Sequence, residues 1–130
     1  MRTLEHVLLV EDDADIREVA RMALELLGGL RVTVCASGQE ALTRAPEASP
    51  DVILLDYMMP GMDGAATLAA LREVPSLAEV PVVFLTARAR PEDAEAFRRI
   101  GASGVITKPF DPVALPDQVR ALWAAARHAG

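Results

Sequence analysis

The chain has 130 residues, the size of one ordinary domain, so a single core over residues 1–130 is expected. About half its residues are hydrophobic, which excludes a disordered chain, and a formal charge of −6 without any Lys/Arg block argues against direct binding to nucleic acid or an anionic membrane. No apolar run is long enough to span a bilayer and Cys35 has no partner for an internal disulfide, so a soluble protein of the reducing cytoplasm is expected.

The first strand is predicted at His6–Val10 and runs into Glu11-Asp12-Asp13, of which Asp13 suits a helix cap. Ile16, Val19, Ala20, Ala23, Leu24 and Leu27 then fall at helical spacing. Arg17, Glu18, Arg21 and Glu25 occupy the other side, and Gly28-Gly29 ends the helix. A strand comes next at Leu30–Val34, with Cys35 as a small residue at its end, and then a helix at about Gly38–Ala45. The third strand, Val52–Leu55, is apolar throughout and meets an acid, Asp56. Asp63 suits a cap for a helix at Gly64–Glu73. The fourth strand, Val80–Leu85, leads into Thr86-Ala87, and the next helix, Pro91–Ile100, opens on a proline that loses no hydrogen bond there. The fifth strand, Gly104–Thr107, leads into Lys108-Pro109.

The last helix carries a conflict. Pro112 and Pro116 are four apart, so a helix begun at Pro112 would press the Pro116 ring on that residue's carbonyl at about 3 kcal/mol. Asp111–Leu115 is therefore expected as an irregular turn, with regular helix over about Pro116–Arg127. Five apolar strands alternating with five helices argue for an α/β fold, a parallel sheet covered on both faces and wound by right-handed crossovers.

In such sheets ligands bind beyond the carboxyl ends of the strands. The residues there are Glu11-Asp12-Asp13, Asp56, Thr86-Ala87 and Lys108-Pro109: a cluster of acids, one hydroxyl and one cation. If the first and third strands are neighbours, Glu11, Asp12 and Asp56 come within a few ångströms of one another, and one of them must be protonated unless a cation intervenes. Mg2+ fits that need, being a hard ion that takes carboxylates, a carbonyl and waters, with Mn2+ as the alternative.

The segments "LLVEDDADIRE", "DVILLDYMMPGMDG", "VVFLTARA" and "GASGVITKPF" occur in the order and spacing of a known family. From about Glu5 to Arg127 the chain resembles a response-regulator receiver domain of two-component signalling, similar to the chemotaxis regulators. The resemblance implies the flavodoxin-like doubly wound fold with strand order 2-1-3-4-5. It also implies that Asp56 accepts a phosphoryl group from the phosphohistidine of a histidine kinase or phosphotransfer protein. By the same resemblance Asp12, Asp56 and the Met58 carbonyl ligate the metal directly and Glu11 acts through a bound water. Thr86, the Ala87 N–H and Lys108 contact the phosphoryl oxygens, Lys108–Pro109 is a cis bond, and Asp13 is a solvent-facing loop acid.

The sequence departs from the family's pattern at the switch. The fifth strand usually carries Tyr or Phe where this chain has Val105, so the rotamer exchange of that ring with Thr86 cannot operate here. At the two positions that tune the lifetime of the phosphoryl group stand Met58 and Arg88, neither of which orients an attacking water, so self-dephosphorylation is expected to be slow. Core packing is the plain role for Phe97, and Trp123, next to Leu122 in a stripe of Leu115, Val119, Leu122 and Ala126, stands at the edge of the buried face. By the resemblance Phe97, Val105 and Trp123 mark the family's usual partner face, which would bind a downstream protein or an attached output domain.

Two alternatives carry different chemistry. A Mg2+-dependent phosphatase of the haloacid-dehalogenase type needs a second acid two residues after its nucleophile, where Met58 stands. A non-phosphorylated receiver-like adaptor would keep the fold without needing Asp56. The expectation is therefore a signalling domain that catalyses only its own phosphorylation and slow dephosphorylation, either stand-alone or part of a larger regulator.

Overall fold

A computed structural model describes residues 2–129 of the chain. Five parallel strands form one sheet: β1 (His6–Val10), β2 (Arg31–Cys35), β3 (Val52–Asp56), β4 (Val82–Thr86) and β5 (Gly104–Thr107), in the order β2-β1-β3-β4-β5. The helices are α1 (Ala14–Met22), α2 (Gly38–Ala48), α3 (Gly64–Arg72), α4 (Pro91–Arg99) and α5 (Leu115–Ala129). β1, β3 and β4 are buried along their whole length because helices cover both faces. Alternate residues feed two cores. Val7, Leu9, Val52, Leu54, Val83 and Leu85 pack with α1 and α5 through Ala20, Leu24, Leu115 and Val119. Leu8, Val10, Ile53, Leu55 and Phe84 pack with α2, α3 and α4 through Ala41, Leu68, Leu71 and Phe97.

Boundaries differ from the sequence expectation where local rules were overridden. β2 begins one residue later, at Arg31, because the Leu30 N–H is bonded to the Leu24 carbonyl and its side chain closes the α1 core. β4 begins two residues later, since Pro81 has no N–H to enter a ladder. α2 runs past Pro46 to Ala48, with Ser49 in the left-handed region at φ 49° as its cap. A 3-10 turn at Pro75–Leu77 lies where no element was expected.

The first helix changes most. Its last stretch, Ala23–Leu27, is a π-helix, which widens the turn and shifts the angular position of the residues after it. Ala20, Ala23 and Leu24 are buried as the apolar stripe requires, but Val19 and Leu27 are 44% and 61% exposed. Gly28 caps the end through the Ala23 carbonyl, and Gly29 comes next with φ 65°. The turn before α5 is as the two prolines require: Asp111 Oδ1 accepts from Val113 N, the Asp111 carbonyl accepts from Ala114 N and Leu115 N, and helix starts at Leu115. Among the described residues, no helix is long and apolar enough to cross a membrane.

Candidate functional site

Register brings the candidate residues to one edge. Val10 pairs with Leu55, Asp56 with Leu85, and Thr86 with Thr107, so Glu11, Asp56, Thr86 and Lys108 stand at the carboxyl ends of four neighbouring strands. Backbone bonds extend each ladder one residue past its strand: Glu11 N to Cys35 O at 3.0 Å, Tyr57 N to Leu85 O at 3.0 Å and Lys108 N to Thr86 O at 2.9 Å. The side chains are thus carried by the rigid sheet rather than by free loops.

Three carboxylates converge. One oxygen each from Glu11, Asp12 and Asp56 lies within 4.8 Å of the others. Glu11 and Asp56 are fully buried, whereas Asp12 opens to solvent. The cation among them is Lys108, whose Nζ donates to Asp56 Oδ1 at 3.0 Å and sits 2.7 Å from Glu11 Oε1 without hydrogen-bond alignment. Asp56 Oδ2 is buried and has no partner at all. An orphaned carboxylate oxygen costs free energy, and one facing two further acids asks for a positive ligand.

The electrostatics agree. Burial pushes the Asp56 carboxyl up to about 7, with the neighbouring Glu11 and Asp12 carboxyls adding to the rise and Lys108 opposing it. Lys108 loses some charge preference to burial, but Glu11 and Asp56 hold it above an ordinary lysine. At Asp12 desolvation also opposes the charge, and hydrogen bonding with Asp56 and Glu11 outweighs it, leaving this carboxyl below its usual range. Among the described residues, Lys108 alone pairs its positive charge with these acids. The donor set is all oxygen, which suits a hard divalent cation, and the exposed Asp12 side gives it access.

The remaining candidates divide by place. Thr86 is buried at the rim, its Oγ1 accepting from Arg88 N at 3.0 Å. Ala87, Met58 and Arg88 are exposed on the loops beside it, Met58 at 69%. The Lys108-Pro109 bond is cis. Asp13 is more than a loop acid: its side chain caps α1 through Asp15 N at 2.9 Å and Ile16 N at 3.0 Å, and Asp63 caps α3 through Ala66 N at 2.8 Å. Cys35 is buried and its thiol is pushed up to about 11, chiefly by burial.

The partner face needs correction. Phe97 and Trp123 are buried, at 5% and 6% exposure, so neither projects as a surface anchor, although Phe97 borders the same cavity as Val105. Phe97 packs in an aromatic cluster with Tyr57 and Phe84, centroids 4.7 and 5.2 Å away, and Trp123 belongs to the core beneath α5. Leu115 and Val119 set the buried stripe of α5, and Trp123, four residues beyond Val119, continues it. Val105 alone of the three is half-buried, and it lines a cavity of about 280 Å³ with Ala89, Ala94, Thr107 and Leu122.

One residue that reaches the site's backbone was not evident in the sequence. Arg17, expected on the outer face of the first helix, turns back so that Nη1 donates to the Glu11 carbonyl at 2.8 Å and reaches the Asp12 carbonyl at 3.5 Å. The signal was available in the tilt of helical side chains toward the N-terminus, which puts a long side chain in the first turn over the preceding loop.

Comparison with known proteins gives the same assignment. Residues 7–120 match the family described as the response regulator receiver domain. The chain is 40% identical over 125 residues to the transcriptional regulatory protein CseB of Streptomyces coelicolor, covering 96% of this chain and 52% of that protein. It is 37% identical over 116 residues to the phosphate regulon transcriptional regulatory protein PhoB of Escherichia coli, covering 89% and 50%. The chain thus spans about half the length of these relatives. Among solved structures, the chemotaxis response regulator CheY4 of Vibrio cholerae superposes with a TM-score of 0.85 at 33% identity, over 92% of this chain and 99% of that one. The receiver domain of a signal transduction histidine kinase from Syntrophus aciditrophicus gives 0.79 at 33% identity, over 93% and 91%. On fold, strand order and sequence match alike, the chain belongs to the response regulator receiver domains of two-component signalling.

Proposed function

We propose that this receiver accepts a phosphoryl group on Asp56 from the phosphohistidine of a histidine kinase or phosphotransfer protein, and that the modified site alters binding of a downstream protein or attached output domain. The observation that carries the reading is the buried, partnerless Asp56 Oδ2 beside Lys108 and two further acids. A carboxylate oxygen of Asp56 forms the new bond to phosphorus as the P–N bond to the donor imidazole breaks, its electron pair staying on the departing nitrogen. Asp56 must be ionised to attack, and a carboxyl that titrates near 7 is only partly so at neutral pH.

Asp12, Asp56 and the Met58 carbonyl would hold a Mg2+ ion, with Glu11 reaching it through water and Mn2+ able to replace it. When bound, that ion supplies the positive charge that keeps Asp56 ionised and offsets charge on the transferred group. Lys108 lies within reach of Asp56 and would pair with a phosphoryl oxygen as a compact cation on a long tether. Thr86 would give up its bond from Arg88 N and donate its hydroxyl proton to another oxygen, with the Ala87 N–H as a second donor.

Met58 and Arg88 offer no carboxylate or amide to orient water, which supports a slow loss of the phosphoryl group. Val105 supports a switch without a swinging ring. The domain as a unit over residues 1–130 is part of the same proposal. Incubation with Mg2+ and acetyl phosphate, then intact-mass measurement, tests it. One added phosphoryl group, absent in Asp56→Asn and persisting well beyond seconds at neutral pH, is expected; no gain, or a gain retained in Asp56→Asn, would overturn it.

A further inference from the structure

Glu11, Asp12 and Asp13 form the whole link between β1 and α1, so the position of two of the three site acids depends on how this short segment is held. Its ends are secured: the Glu11 N–H is bonded to the Cys35 carbonyl, and Asp13 caps α1. The Glu11 side chain is secured as well, Oε2 accepting from Asp13 N at 3.1 Å. The middle is different. Asp12 is exposed, so packing does not fix it, and the carbonyls of Glu11 and Asp12 are reached by the side chain of Arg17, at 2.8 and 3.5 Å.

Resting on the reading of Asp56 and its acidic neighbours given above, we propose that Arg17 is a positioning residue for the divalent cation, clamping the main chain of Glu11 and Asp12 so that their carboxylates face Asp56. The guanidinium directs its nearest nitrogen to backbone oxygens rather than to the carboxylates, and so it orders the donor set without occupying it. Outer partners of this kind set ligand orientation, and their loss weakens metal binding by about tenfold at the lower end of the usual range. A purely electrostatic role has the opposite sign. A cation one turn away repels a second cation, and deleting it would tighten binding.

Calorimetric titration of the full chain with Mg2+ separates these outcomes. Arg17→Ala is expected to weaken Mg2+ binding by about tenfold with little change in the metal-free melting temperature, and Arg17→Lys, which keeps one donor and the charge, to recover most of the loss. The Mg2+ concentration that half-saturates phosphorylation by acetyl phosphate should rise by the same factor, while the rate at saturating Mg2+ returns to the wild-type value. If Arg17→Ala does not fold, Arg17→Gln, which has a shorter reach and no charge, should show the same direction of change. Affinity that is unchanged or tighter in a folded Arg17 variant, with binding abolished in Asp12→Asn, would overturn the inference alone. A wild-type chain that binds no Mg2+ would overturn the Asp56 reading together with it.

Discussion

In the proposed reaction Asp56 sets the chemistry, because its environment denies it an easy charge. Its carboxyl titrates at about 7 in the fold against an ordinary value near 4, so the folded state holds a proton that the unfolded chain releases over the window between those values. The stability this contributes is complete below about pH 4 and is lost as pH rises through 7, amounting to roughly a few kcal/mol at most. In metal-free protein, Asp56→Asn should therefore raise the melting temperature at pH 8 and leave it nearly unchanged at pH 4, read by calorimetry. Mg2+ should raise the wild-type melting temperature more at pH 8 than at pH 5, since only the ionised site needs it. The acid was legible in the sequence because it interrupts an apolar run, and Lys108 and Thr86 because they come directly after buried strands. Arg17 was not, because its charge continues the solvent-facing pattern of Glu18, Arg21 and Glu25, and only its direction along the helix distinguishes it.

Elements place these residues, and they fail where backbone comes too close for a side chain. Gly64, first in α3, donates to the Tyr57 carbonyl at 2.8 Å, and a Cβ there would meet the Tyr57 Cα at 2.7 Å and the Asp56 carbonyl at 3.0 Å. Both obstacles are main chain at or next to Asp56, the proposed acceptor, so Gly64→Ala should cost about 2 kcal/mol in chemical denaturation and slow phosphorylation as well. At β5, on the same face of the sheet, there is room. Val105 borders a cavity of about 280 Å³, so Val105→Tyr should change stability by less than about 1 kcal/mol, and a larger loss would show that this space cannot hold a ring. Strand and helix types were readable from period and from breakers such as Pro112 and Pro116. The π-helix at Ala23–Leu27 was not, because the same residues satisfy an α-helical stripe until Leu30 and the Gly28 cap compete for the last turn. Phe97 and Trp123 were set on the partner face by the resemblance alone, and the packed helices bury both.

Across the whole molecule, the opposite ends of the sheet titrate with opposite sign. His6, at the amino end of β1, is buried, with Nε2 paired to Thr33 Oγ1 at 2.7 Å and Nδ1 lacking a partner. Burial, and then the Arg31 charge, hold its pKa below the usual imidazole value, so the neutral ring is favoured in the fold and stability is lost as pH falls below about 6.5. In wild-type protein this trend opposes that of Asp56 across the same window. Asp56→Asn should expose it, so that the melting temperature of that variant rises from pH 5 to pH 7; a flat profile in Asp56→Asn would assign no titration to His6. The proposed chemistry at the carboxyl edge requires the three acids to form one divalent-cation site. Anomalous scattering from crystals soaked in Mn2+ tests that most directly. A single ion within bonding distance of Asp12, Asp56 and the Met58 carbonyl is expected, and an empty carboxyl edge with the ion bound elsewhere would contradict it.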